Sequence, residues 1–135
     1  MSGLTNYAED ALVTWMFTNA TAPTRPTAWY VAMHTGDPGE TGASNELLVG
    51  ADADYVRKSV TFADPVAGSG QGLSEASVSW TADAASAGYT VTHLSIWDSL
   101  SGGECLIKGP LPVARSMAAN QTLTFSAGDL IAALT

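Results

Sequence analysis

Hydrophobic and polar residues alternate with a period of two through much of this chain, and that alternation constrains its fold more than any other feature. Val56, Val60 and Phe62 are set against Tyr55, Arg57, Ser59 and Thr61; Ala76, Val78 and Trp80 against Glu75, Ser77 and Ser79; Leu123 and Phe125 against Thr122, Thr124 and Ser126. Successive side chains of a strand point to opposite faces, so such segments suit antiparallel sheets that pack on one side and meet water on the other. Residues 28–34 form an apolar run of strand length. Residues 89–97 are apolar or β-branched at most positions, as a central strand would be. Residues 105–108, 113–117 and 130–134 are weaker strand candidates. Turn residues separate the runs: Gly36-Asp37-Pro38-Gly39, Gly68-Ser69-Gly70-Gln71-Gly72, Ser101-Gly102-Gly103 and Gly109-Pro110. About seven or eight short strands so punctuated predict an antiparallel β-sandwich, of which a jelly roll is one form.

One segment has a different period. Leu4, Ala8, Ala11, Leu12, Trp15 and Met16 recur at three- and four-residue steps, which predicts an N-terminal helix over residues 4–19. Asn6 is the expected cap, with Glu9 three residues on as a capping-box partner. Pro23 and Pro26 follow the helix. The 135 residues fit one domain, 1–135, large enough to fold around its own core. The segment 36–54 is the main irregularity, either a contact-making excursion or a mobile loop.

The charge pattern excludes several functions. The net charge is −8, and the basic residues Arg25, Arg57, Lys58, Lys108 and Arg115 are scattered. Without a basic patch, direct binding to nucleic acid or to an anionic membrane is not expected. No apolar run is long enough to span a bilayer. Residues 1–10 lack a basic start and an apolar core, so export by signal peptide is not expected either. Charged residues make up only 13% of the chain, against about 25% in average proteins. Such a surface is poorly defended against association, which suggests that a partner covers part of it.

Chemistry is hard to find in the sequence. There is no Gly-x-Ser-x-Gly. His34 and His93 both fall in predicted strands without a partner at motif spacing, so a hydrogen-bonded structural role is expected. Cys105 is the single cysteine, which excludes an internal disulfide or a thiolate metal cluster, and the simplest expectation is a small buried hydrophobe. Asp37, Glu40, Asp52 and Asp54 could offer oxygen ligands to calcium, but their spacing matches no known loop, and solvated acidic loops are the preferred reading. The expectation is therefore no enzyme, no catalytic residues, no cofactor and no metal.

Several strings together resemble a family of short tailed-bacteriophage proteins often labelled tail-fibre proteins. They are Thr5-Asn6-Tyr7-Ala8-Glu9-Asp10-Ala11-Leu12, the run from Pro26 to His34 ending in Thr35-Gly36-Asp37-Pro38-Gly39-Glu40, Tyr55-Val56-Arg57-Lys58-Ser59-Val60-Thr61-Phe62, and Val91-Thr92-His93-Leu94-Ser95-Ile96-Trp97-Asp98, followed later by Leu123-Thr124-Phe125-Ser126-Ala127-Gly128. The resemblance implies a structural virion protein made in the host bacterial cytoplasm, and brings no catalytic residues. Its partners would be other virion proteins, major capsid or tail, and it would be present in many copies or as a homo-oligomer. A compact acidic domain with one helix favours a head decoration or cement protein. The alternatives are a tail fibre or baseplate component, and a carbohydrate-binding adhesion module using exposed aromatics. Leu47, Leu48 and Val49 stand in a row inside the 36–54 excursion and, with Trp15, are the expected interface residues. The competing reading folds the triplet back onto the domain's own core.

Overall fold

The computed structural model describes residues 3–134. Its elements run β1 (Gly3–Leu4), α1 (Asn6–Phe17), β2 (Trp29–His34), β3 (Lys58–Val60), β4 (Gln71–Leu73), β5 (Val78–Thr81), β6 (Tyr89–Trp97), β7 (Cys105–Met117), β8 (Thr122–Phe125) and β9 (Ile131–Ala133). The chain is mainly β with one short helix, and every strand pair is antiparallel. Five strands form the main sheet in the order β1-β7-β6-β2-β3; β4 pairs with β9, and β5 with β8. The antiparallel, mainly β architecture is as expected, although β4 begins inside the stretch Gly68-Ser69-Gly70-Gln71-Gly72 expected to be a turn; this strand order does not establish a jelly roll.

β6 lies at the centre of the main sheet, consistent with its being apolar or β-branched at most positions. One face of the sheet presents Val31, Met33, Leu94, Ile96 and Ile107 to the inner residues of β5 and β8, and these form one continuous core. In β5 and β8 the period-two pattern holds residue by residue: Val78, Trp80, Leu123 and Phe125 are buried and the residues between them are exposed.

β7 is longer than the sequence suggests. Gly109-Pro110, expected to be a turn, lies inside the strand, and the two weak candidates on either side form a single element. Between the pairs Val91↔Arg115 and His93↔Pro110, residues 111–114 oppose Thr92 alone, a multi-residue bulge. A proline cannot donate to a ladder and is tolerated at an edge. Pro110 and Pro112 meet that condition, because β1 pairs with β7 only at Ile107 and Lys108.

The opposite face of the sheet carries Ala32, His34, Ser95, Trp97 and Cys105, all buried. The excursion after β2 covers it. Thr35 and Leu47 donate their backbone N–H groups to Asn45 and Met33, and Glu46 bridges back to His34, so residues 35–46 fold down onto the sheet. Gly42 shows how close this approach is: its φ is 74°, and an added Cβ would overlap the Cys105 side chain. Residues 36–46 of the excursion therefore cover this face of the sheet.

Two local expectations are corrected. The helix begins at Asn6 and is capped by Thr5, whose Oγ1 accepts from the Ala8 N–H at 3.4 Å. Leu4 is drawn into β1 by its pairing with Ile107, which moves the cap one residue earlier than Asn6 and leaves Glu9 out of capping-box position. The alternation also inverts at residues 55–57. Tyr55 and Arg57 are buried while Val56 is exposed, and β3 begins only at Lys58. The inversion brings Arg57 onto the half-buried carboxylate of Glu46.

Candidate interface surface

The buried polar groups beneath the excursion form a connected network, and they are where chemistry would have to reside. Arg57 grips Glu46 with two parallel bonds, Nε to Oε1 and Nη2 to Oε2, each 2.8 Å. Its Nη1 donates to the carbonyls of Ser99 and Gly102 at 3.0 and 2.7 Å. The guanidinium lies 3.8 Å from the centre of the Trp97 ring. The Tyr55 hydroxyl donates to Glu46 at 3.0 Å and accepts from the Met33 N–H at 3.2 Å. Burial raises the Glu46 carboxyl, but the Arg57 hydrogen bond and charge outweigh it and hold the carboxyl below its ordinary value.

His34 sits beside this cluster with both ring nitrogens engaged. Nδ1 lies 2.8 Å from the Ser44 carbonyl and Nε2 lies 2.7 Å from Ser95 Oγ. A carbonyl can only accept, so Nδ1 carries the proton. Nε2 of the neutral ring then accepts from Ser95, which in turn accepts from Trp97 Nε1 at 2.7 Å. Burial lowers the His34 pKa, partly offset by the Ser44 bond, so the ring is held neutral. Burial likewise pushes the Cys105 thiol up to about 11, away from the reactive thiolate. His93 stands apart from these hydrogen bonds; its Nδ1 lies 2.9 Å from the Thr92 hydroxyl. These groups tie the excursion to the sheet and leave no free acid, base or nucleophile among them. Asp52 is similarly committed. Oδ1 accepts from the N–H groups of Asp54 and Asp83, and Oδ2 from the Tyr89 hydroxyl. No group of three or more His, Cys, Asp or Glu among the described residues is placed to hold a metal.

The network sets a pH dependence. The folded His34 pKa lies below its ordinary 6.5, so its contribution is complete above that pH and is lost as pH falls towards the folded value. Glu46 acts in the same direction from its ordinary 4.5 downward. The urea midpoint should therefore fall steadily from neutral pH to pH 4, and His34→Gln should remove the upper part of that slope. A midpoint unchanged between neutral pH and the carboxylate range would contradict this account.

The surface offers what the interior lacks. Of the triplet, Leu47 is 4% exposed and belongs to the core, so it cannot anchor a partner. Its N–H is bound to Met33, which turns its side chain inward and the next two residues outward. Leu48 is 71% exposed and Val49 67%. Leu47→Asp should therefore unfold the protein, whereas Leu48→Asp should shift its stability by about 0.5 kcal/mol or less; thermal melts of the two variants would tell them apart. Trp15 is 71% exposed, and α1 buries only Ala8. The helix packs through its first turns onto β7, and its second half runs beyond the body. The sequence reading missed Val13 and Phe17 there, both more than half exposed. The signal was present in Val13-Thr14-Trp15-Met16-Phe17, which is apolar on more than one side and so cannot be a simple amphipathic stripe. Beneath the Trp15 side of the helix lies an apolar groove of about 510 Å³, closed on the other side by residues 22–26 and floored by Leu4 and Leu106.

Comparison with known proteins adds a family. Residues 3–133 match the family described as Podophage GP4 fiber I protein gp80. The chain belongs to this family. No curated protein matches it. Membership of a phage fibre family makes the chain a fibre-type structural protein of a bacteriophage virion. The family carries the virion expectation and names a fibre, so it lends the head-decoration reading no support. The fibre family match also agrees with the resemblance drawn from the sequence strings.

Proposed function

We propose that this protein is a non-enzymatic subunit of the tail fibre apparatus, working by packing against other virion proteins. The observation that carries the reading is the contrast between interior and surface. No described buried side-chain nitrogen or oxygen lacks a hydrogen-bond partner, while Trp15, Met16, Phe17, Leu48 and Val49 all stand more than half exposed. Apolar surface of that kind is costly in isolation and useful at a contact. The family description names a fibre, which fits the tail reading at least as well as the head reading.

A head decoration protein is the second reading, favoured by the helix end projecting from an otherwise closed body like a clamp. An adhesion module has less support. Sugars need polar side chains around a stacking platform, and the groove under Trp15 is walled mainly by apolar residues. Separating purified particles into tails and filled heads, then quantifying this protein by mass spectrometry in each, tests the proposal. Recovery with the tails is expected, and recovery with the heads would replace it with the decoration reading.

A further inference from the structure

The segment 36–46 lies on the sheet with little apolar packing of its own. It contains no valine, leucine, isoleucine, methionine or aromatic residue, and three of its eleven residues are glycines. Its ties to the body are mainly polar. The Ser44 carbonyl meets His34 Nδ1 at 2.8 Å, and Glu46 is gripped by Arg57. Glu40 accepts from Lys108 Nζ at 2.8 Å, and its carbonyl accepts from the Asn6 N–H at 3.2 Å. Beneath the segment lie Ala32, Trp97 and Cys105, an apolar cluster apart from the main core. Gly42 seals the thiol, since a Cβ there would overlap it. The main core lies on the other face of the sheet, and its members carry no carboxylate, imidazole or amine. A segment held by a few polar bonds opens at far lower cost than a core strand.

We infer that residues 36–46 form an acid-released cover: a proton taken up by His34 lifts them from the sheet and uncovers Cys105 and Trp97, while the rest of the domain stays folded. His34 is the latch because the closed form has no place for a second ring proton. Its Nδ1–H is committed to Ser44, and its Nε2 accepts from Ser95. Ser95 already receives Trp97 Nε1–H, so a proton on Nε2 would turn its hydroxyl away from the ring and make its oxygen accept twice. Burial is the largest obstacle to a charged ring, and Arg57 from the segment before β3 and His93 from β6 add to it. The Ser44 bond and Glu46 work the other way, but Glu46 is already paired with Arg57. Cys105 of β7, the remaining titratable neighbour, is a neutral thiol. Once the cover lifts, water reaches the ring and its ordinary pKa of 6.5 returns. Below that pH the open form takes up a proton that the closed form refuses, so opening becomes easier as pH falls, until the closed ring itself is protonated. Above it, opening does not depend on this group. Glu46 adds to the opening only beneath its own ordinary value of 4.5.

The inference goes beyond the fibre-subunit reading and is tested on the isolated full-length protein, so either can fail without the other. Cys105 is the only cysteine, so its labelling reports the opening. Labelling of the native protein by dithiodipyridine, scaled at each pH to a free cysteine peptide, should speed up by as much as about tenfold per pH unit below 6.5. Far-ultraviolet circular dichroism should not change between neutral pH and about pH 5. His34→Gln can donate to Ser44 and accept from Ser95 without taking a proton, so it should flatten the profile. Lys108→Met frees the Glu40 end of the cover and should raise labelling at every pH with the slope retained. Scaled labelling that does not change with pH overturns the inference, as does labelling that rises only as the circular dichroism signal is lost. A slope that persists in folded His34→Gln overturns it by assigning the proton to another group. If His34→Gln does not fold, Lys108→Met decides: labelling equal to that of the wild type overturns the inference.

Discussion

Replacing Arg57 with alanine is expected to destabilise the fold by about 3–5 kcal/mol. The guanidinium satisfies both oxygens of Glu46, holds two carbonyls of the 99–102 turn and covers the Trp97 ring. Its loss strands a half-buried carboxylate and frees the turn at once. Arg57→Lys should recover only part of the loss, because an ammonium keeps the charge but cannot form the two parallel bonds. Replacing Arg57 with Met and Glu46 with Leu together should cost much less than Arg57→Ala, since no uncompensated charge then remains. Urea unfolding of the three variants measures this order. If Arg57→Ala and the apolar pair cost the same, the network is not what holds the excursion down.

The sheets were legible because their signal is local. Val78, Trp80, Leu123 and Phe125 announce their burial by alternating with polar neighbours, and β6 announces its central place by being apolar or β-branched at most positions. What stayed hidden was set by partners distant in sequence. Tyr55 and Arg57 read as the wet face of a strand, and only Glu46, brought alongside by the folded excursion, makes them the buried face. Gly109 and Pro110 read as a turn, and only their position beyond the reach of β1 lets them remain in a strand.

The candidate interface was half legible for the same reason. The Leu47-Leu48-Val49 row signalled an apolar cluster without saying which member would be tied to β2, and the Leu47 N–H settles that. The helical period placed Trp15 correctly on the side of α1 that faces the body. Periodicity does not reveal where the body ends, and α1 outruns it. Arg25 and the groove it borders had no sequence signature, being assembled from the helix, the coil after it and β7.

The two tryptophans Trp80 and Trp15 should respond to alanine in opposite ways. Trp80 is 2% exposed and meets Phe125 edge to face with ring centres 6.3 Å apart. Its Nε1 donates to the Val56 carbonyl at 2.8 Å, tying β5 to the segment just before β3. Trp80→Ala removes that bond and leaves a cavity between the layers, at an expected cost of about 3–5 kcal/mol. Trp80→Phe keeps most of the packing, so its smaller loss reports mainly the hydrogen bond and the remaining volume difference. Trp15, apolar and on the helical stripe, would cost as much if it were buried. Exposed as it is, Trp15→Ala should change stability by about 0.5 kcal/mol or less. Its effect should appear instead in contacts between molecules. Denaturation of both variants under dilute conditions, where molecules are apart, makes the comparison. A Trp15→Ala loss approaching that of Trp80→Ala there would mean that α1 lies against its own domain, and the surface argued to face a partner would not exist.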